Sequence, residues 1–116
     1  MSDDPDLRRL LLFLLGGSRG GENRARIIRR IREKPSNMNQ LAGHLDLQYK
    51  AIQHHIRILL SNSLLVSSGE KYGTVYSLTP WFEAHIDIFN QVCDKLGLEH
   101  DSEGLQPESA RDGSQS

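Results

Sequence analysis

The 116-residue chain has a single cysteine, Cys93. One thiol excludes an internal disulfide framework and any multi-cysteine zinc site within one chain, and it suits a reducing compartment. Long apolar runs are missing too. The longest, Leu10–Leu15, is six residues, far below the roughly twenty that a bilayer-spanning helix needs. A basic leader is absent, because the start reads MSDDPDL, acidic where a secretory signal is basic. The expectation is a cytoplasmic protein with no membrane role. At this length there is room for one domain and one core.

Acidic residues are scarce in the middle of the chain. Between Leu7 and Pro80, Lys and Arg number 12 against 4 acids. From Trp81 onward 2 basic residues meet 8 acids, and Asp3, Asp4 and Asp6 lie at the start, so the net charge of −1 conceals a segregated pattern. A basic middle between acidic flanks predicts a polyanion partner for the middle and solubility for the ends.

The shortage of acids matters most in Gln48–Leu60, QYKAIQHHIRILL. Tyr49, Ile52, Ile56, Leu59 and Leu60 fall on the 3.6-residue stripe of a helix that faces a core. Gln48, Lys50, Gln53, His54 and Arg57 fall on the other side, and none is acidic. Amide, imidazole and cationic side chains together are what reading base edges beside phosphates requires.

Around this stretch the other elements follow in order. Asp4-Pro5 opens a helix that runs through LRRLLLFLL to Gly16-Gly17. Its apolar face of Leu7, Leu10, Leu11 and Leu14 is widened by Leu12, Phe13 and Leu15, and so much apolar surface either enters the core or pairs with another chain. Pairing is the expectation. GGSRGG (Gly16–Gly21) reads as a hinge or turn, since it lacks the lysine and following Ser or Thr of a nucleotide P-loop. Helix Glu22–Glu33 carries Arg24, Arg26, Arg29, Arg30 and Arg32, and an arginine-rich face is usually just solvated. Pro35 ends it. Asn37 caps a short helix, Met38–Leu45, and Asp46-Leu47 turns into the Gln48 stretch, which makes a helix-turn-helix pattern.

After Leu60, strands at Leu64–Val66 and Thr74–Leu78 flank the turn residues Ser67–Gly73, giving a β-hairpin with Lys71 and Tyr72 at its tip. Thr79-Pro80 starts a last helix, Trp81–Leu96, stopped by Gly97. Phe82, Phe89 and Leu96 recur every seven residues, with Ile86 and Val92 between them, a coiled-coil-like seam. Together with the first helix it is expected to build a dimer interface. The segment after Leu98 is poor in apolar residues and expected to be disordered.

The passage NMNQLAGHLDLQYKAIQHHIRILLSNSLLVSSGEKYGTVYSLT resembles the winged helix-turn-helix of ArsR-like transcriptional regulators, nearest to small archaeal members. Those members combine a GGSRGG-type loop, an arginine-bearing helix and an "LxxHLxxLxxxGLV"-like passage, here Ile52–Leu59 continuing to Leu64–Val66. Asn62-Ser63 stands where many have glycine. The resemblance covers about residues 16–80 and implies a mainly α fold with a small β-hairpin. It further implies a homodimer with 16–80 as the DNA-binding domain, while the apolar stripes assign 1–15 and 81–97 to dimerisation helices and composition makes 98–116 an acidic tail. The DNA-facing positions it implies are Gln48, Lys50, Gln53, His54 and Arg57, with phosphate contacts from Arg24, Arg26 and Lys71. Leu7, Leu10, Leu11, Leu14, Phe82, Ile86, Phe89, Val92 and Leu96 would form the dimer interface.

His55 matches a common family histidine, with packing or a backbone hydrogen bond as its expected role. The metal-sensing members carry a Cys-x-Cys pair in the recognition helix, and Ala51–Leu59 has no cysteine. His85, Asp87, Cys93, Asp94 and His100 do not reproduce the alternative ligand spacing. No metal, cofactor or effector is therefore specified. No Ser/His/Asp or Cys/His set has supporting context, so an enzyme is not expected. The rival reading is a winged-helix adaptor that docks transcription or repair proteins without reading DNA.

Overall fold

The computed structural model describes residues 3–69 and 73–98. Helices α1 (Pro5–Gly16), α2 (Gly21–Glu33), α3 (Met38–Leu45) and α4 (Tyr49–Ser61) precede strands β1 (Leu65–Ser68) and β2 (Val75–Leu78). Helices α5 (Pro80–Ala84) and α6 (Ile86–Leu96) follow. The result is mainly α with one antiparallel hairpin, as the hydrophobic periods predict. Among the described residues no helix is long and apolar enough to cross a membrane.

The helix starts are written in local chemistry. The Asp4 carboxylate accepts from the Leu7 amide at 3.1 Å and from Trp81 Nε1 at 3.0 Å, which ties the start of α1 to α5. Asn37 and Gln40 form a reciprocal capping box on α3, satisfying two amides that the helix leaves open. Thr79 caps α5 through its hydroxyl oxygen, which accepts from the Phe82 amide at 3.3 Å and donates to the Ser63 carbonyl at 2.8 Å.

The hairpin places Leu65 opposite Leu78 and Ser68 opposite Val75. On its other edge β2 is held by one bridge to the helix-turn-helix. Tyr76 N–H donates to the Ser36 carbonyl at 2.9 Å, and Ser36 N–H donates to the Tyr76 carbonyl at 3.3 Å. This bridge fixes the base of the wing against the entry to α3. The expected loop tip at Lys71 and the expected tail after Leu98 lie outside the described residues, except that β1 extends two residues further than predicted, to Ser68.

The predicted last helix is broken at His85 into α5 and α6. In an unbroken helix the Trp81 carbonyl would accept the His85 amide. Here the His85 ring Nδ1 lies 2.9 Å from that carbonyl, and the His85 amide turns to Phe82 instead, at 3.0 Å. Since a carbonyl only accepts, Nδ1 carries the proton. The side chain has displaced the backbone from its own acceptor.

The largest correction concerns six of the nine residues expected at a dimer interface. Leu7 and Leu11 are 0 % exposed, and Leu14, Phe82, Phe89 and Val92 are also buried within the single chain. They are core residues and offer nothing to a second copy. Helices α1 and α6 cover one another: Gly16 lies so close to α6 that a Cβ there would sit 2.8 Å from Leu96 Cδ1, and Arg8 donates to Gln91 Oε1 at 2.9 Å. The two stripes cover much of each other. Leu10, Ile86 and Leu96 remain half-buried, and Phe13 stands out at 58 % exposure.

Candidate nucleic-acid interface

The turn from α3 into α4 sets the geometry. Asp46 adopts the left-handed conformation (φ 57), and the Leu47 amide closes on the Ala42 carbonyl at 3.0 Å. Gln48 then occupies the N-cap in extended backbone, without a side-chain cap hydrogen bond. The first amides of α4 are left with no cap, at the end of a 13-residue helix where the dipole is positive. That end is suited to a phosphate oxygen.

Below it, Ile52, Ile56 and Leu59 are buried, while Gln48, Lys50, His54 and Arg57 are exposed and Gln53 is half-buried. None of these five polar side chains makes a hydrogen bond or ion pair to another described residue. Their capacity is unspent. A cleft of about 230 Å³ separates α4 from the wing, lined by Asn37, Asn39, Tyr49, Gln53, Thr74 and Tyr76. It joins the start of α3, the middle of α4 and the base of β2 into one surface.

Tyr49 was expected in the core and is 46 % exposed. As the first residue of α4 it sits above the rim of the core, and its ring forms a wall of the cleft instead. Tyr49 and Asn39 are the surface residues that the periodicity overlooked. The amphipathic character of tyrosine at a helix start is the one sequence signal that would have placed it there.

Arg24, expected at a phosphate, is the clearest correction. It is 2 % exposed and donates from Nε to the Leu14 carbonyl (2.9 Å). It also donates from Nη2 to Ser18 Oγ (2.6 Å) and the Arg19 carbonyl (3.0 Å). Its Nη1 lies 3.1 Å from His55 Nδ1. The glycine-rich loop is thus wrapped around a guanidinium and is not a free hinge. Gly20 adopts φ +89, and a Cβ on Gly21 would lie 2.0 Å from the Leu15 carbonyl oxygen, so the close approach of α2 to α1 excludes larger residues there.

Because Arg24 can only donate, His55 Nδ1 accepts and the imidazole is neutral, with its proton on Nε2. Burial, the Arg24 charge and neighbouring His54 push the His55 pKa down to about 4. His55 is therefore an inward residue, bonded to a side chain and not to backbone, while His54 points outward. Arg26 occupies a third situation. It donates to Asn23 Oδ1 at 3.1 Å and to the Leu45 carbonyl at 3.0 Å, bracing the end of α3. Lys71 lies outside the described residues.

Among the described residues no group of three or more His, Cys, Asp or Glu side chains is placed to hold a metal. Cys93 is buried, and burial raises its thiol pKa although the Arg29 guanidinium opposes the shift. Its inward position does not present a sulfur to a second chain.

No family model and no curated protein matches this sequence. Solved structures do match in shape. HlyU from Vibrio cholerae is 17 % identical over 78 % of this chain and 97 % of its own, with a TM-score of 0.58. The homodimeric winged helix-turn-helix DNA-binding domain of Mb0332 from Mycobacterium bovis, a possible ArsR-family regulator, is 17 % identical. It covers 86 % of this chain and 93 % of its own, with a TM-score of 0.58. The transcriptional regulator BldR from Sulfolobus solfataricus is 19 % identical over 87 % of this chain and 79 % of its own, with a TM-score of 0.52. The fold is a winged helix-turn-helix.

Proposed function

We propose that the protein is an ArsR-like, double-stranded DNA-binding transcriptional regulator that works as a homodimer in the cytoplasm and catalyses no reaction. The observation that carries this reading is the acid-free face of Gln48, Lys50, Gln53, His54 and Arg57, which has no internal hydrogen bond or ion pair among the described residues. Gln48 and Gln53 have the donor and acceptor needed to bind an adenine edge, and Lys50 and Arg57 suit guanine or phosphate. The open amides at the start of α4 would take a backbone phosphate, and the wing would lie on the backbone or in the minor groove.

Likeness in shape to regulators, one of them a homodimeric DNA-binding domain, supports the same assignment. A second copy would use the surface that the single chain leaves uncovered. On α1 that surface is Phe13 with half-buried Leu10 one turn away, and half-buried Ile86 and Leu96 of α6 supply the rest. Such a dimer would present two α4 helices to successive major grooves about 34 Å apart.

Selection from random duplexes with the purified protein, followed by binding at stepped salt, tests the proposal. The expected result is an enriched two-fold symmetric site and a log–log salt slope of about −4 to −6, one counterion released per neutralised phosphate. The double substitution Lys50→Ala with Gln53→Ala should abolish the base preference while leaving weak binding to any duplex. No enriched sequence and a flat salt response would remove DNA reading and favour a protein-docking winged helix.

A further inference from the structure

An open groove of about 680 Å³ lies away from the α4 face, between α2, the end of α3 and the α5–α6 segment. It contains no residue of α4. Four arginines of α2 line it, Arg26, Arg29, Arg30 and Arg32, over a floor that includes Leu45 and Phe89. The volume falls within the range of small-molecule sites.

The arginines are not equivalent. Arg30 is paired with Glu33 at 3.3 Å and Arg32 with Glu83 at 3.1 Å. Arg26 and Arg29 have no carboxylate partner among the described residues. Arg26 meets only the Asn23 amide oxygen and the Leu45 carbonyl. Arg29 donates from Nη2 to the Leu98 carbonyl at 2.6 Å, and its Cζ lies 5.8 Å from the Phe89 ring centroid. Its Nε is buried, on the side of the guanidinium that faces the Cys93 thiol's surroundings and not the open groove.

Two guanidinium groups one helical turn apart, without a carboxylate partner among the described residues, stand in an open groove and make a surface complementary to an anion. We propose that this groove binds a small organic anion with a flat apolar body. Its carboxylate or phosphate would sit on Arg26 and Arg29, where bidentate contacts are strong, and its body along the aliphatic stems of the arginines that line the groove. A consequence for DNA follows if the regulator reading holds. Arg26 braces the Leu45 carbonyl at the end of α3, so an anion that recruits Arg26 acts on the turn that aims α4.

The test uses the full chain without DNA, so its outcome is independent of whether the protein reads a duplex. Backbone amide NMR shifts are followed during titration with 1-naphthyl phosphate, inorganic phosphate and neutral 1-naphthol. The naphthyl ester should bind with a dissociation constant of about 1 mM or below, at least about tenfold tighter than either fragment, and shift Arg26, Arg29, Leu45 and Phe89. Arg26→Gln should weaken it by about tenfold or more, the value of a charge-assisted contact. Arg29→Lys, which keeps the charge but loses Nε and the fork, should do the same. Should either variant lose its native spectrum, the other carries the test. Equal affinity for inorganic phosphate, shifts confined to α4, or unchanged binding in a folded arginine variant would each overturn the proposal.

Discussion

Helices α2 and α4 are both 13 residues long and amphipathic, and α2 carries five arginines where α4 has one lysine and one arginine. On charge alone α2 would be the nucleic-acid helix. Its arginines are largely held inside the chain: Arg24 by three oxygens and His55, Arg30 by Glu33 and Arg32 by Glu83, while Arg26 and Arg29 reach the neutral carbonyls of Leu45 and Leu98, away from the α4 face. The polar face of α4 is poorer in charge and makes no such bond among the described residues. Where a helix's donors already point decides what it can offer a ligand, and a count of cations does not reveal that.

Removing Arg24 should break the comparison hardest. Arg24→Met deletes the donors for the Leu14 and Arg19 carbonyls and for His55 Nδ1 in one step. Buried acceptors left unpaired cost about 1–3 kcal/mol each, so a loss of about 3 kcal/mol or more is expected, partly offset by burial of the methionine. That is a large share of the stability of a domain this size. Thermal unfolding should shift down by about 15 °C or more. If Arg24 were instead a phosphate contact, the melting temperature would hold and only DNA affinity would fall.

Acid should act on the same cluster more gently. His55 is neutral in the fold, with its pKa lowered from 6.5 to about 4. The unfolded chain takes up the proton first as pH falls, so stability is complete above about pH 6.5 and declines between there and about pH 4. The expected loss is on the order of 3 kcal/mol at most. Asp4, whose carboxylate is held below its usual range chiefly by the Leu7 amide and then by Trp81, loses its contribution only below the ordinary aspartate value of 3.8. Urea unfolding at several pH values reads the difference, and His55→Gln should flatten the curve across that window. A curve of unchanged steepness in the variant would assign the acid sensitivity to other groups.

How much of this was legible in the sequence follows from where each residue's partners lie. The capping residues Asp4, Asn37 and Thr79, the three buried isoleucine and leucine positions of α4 and the outward placement of Lys50, His54 and Arg57 depend on neighbours a turn away, and all could be read directly. Arg24 could not, because its acceptors come from the end of α1 and the glycine loop, and no local pattern announces a buried guanidinium. The core share of the terminal helices was hidden for a related reason. Each carries more apolar surface than one core face needs, which suggested a second chain, and only the packing of α1 on α6 shows which of these residues the single chain buries and that Phe13, Leu10, Ile86 and Leu96 stay partly uncovered. The break at His85 is a side chain winning an acceptor from its own backbone, which a helical period does not encode.

The smallest expected effect separates the two helices most cleanly. Arg57 on α4 has no hydrogen-bond or ion-pair partner among the described residues, whereas Arg32 on α2 is half-exposed and paired with Glu83 at 3.1 Å. Each carries one charge, so a protein that attracted DNA by net charge alone would feel the two losses alike. If α4 is the surface that meets the duplex, Arg57→Gln should reduce the magnitude of the log–log salt slope by about 1, the release of one counterion. Arg32→Gln should leave the slope where it is, and being an exposed ion pair it should change stability by about 1 kcal/mol or less. Equal slopes for the two variants would mean that the duplex contacts both helices or neither, and the division between spent and unspent side chains would then have no bearing on where DNA binds.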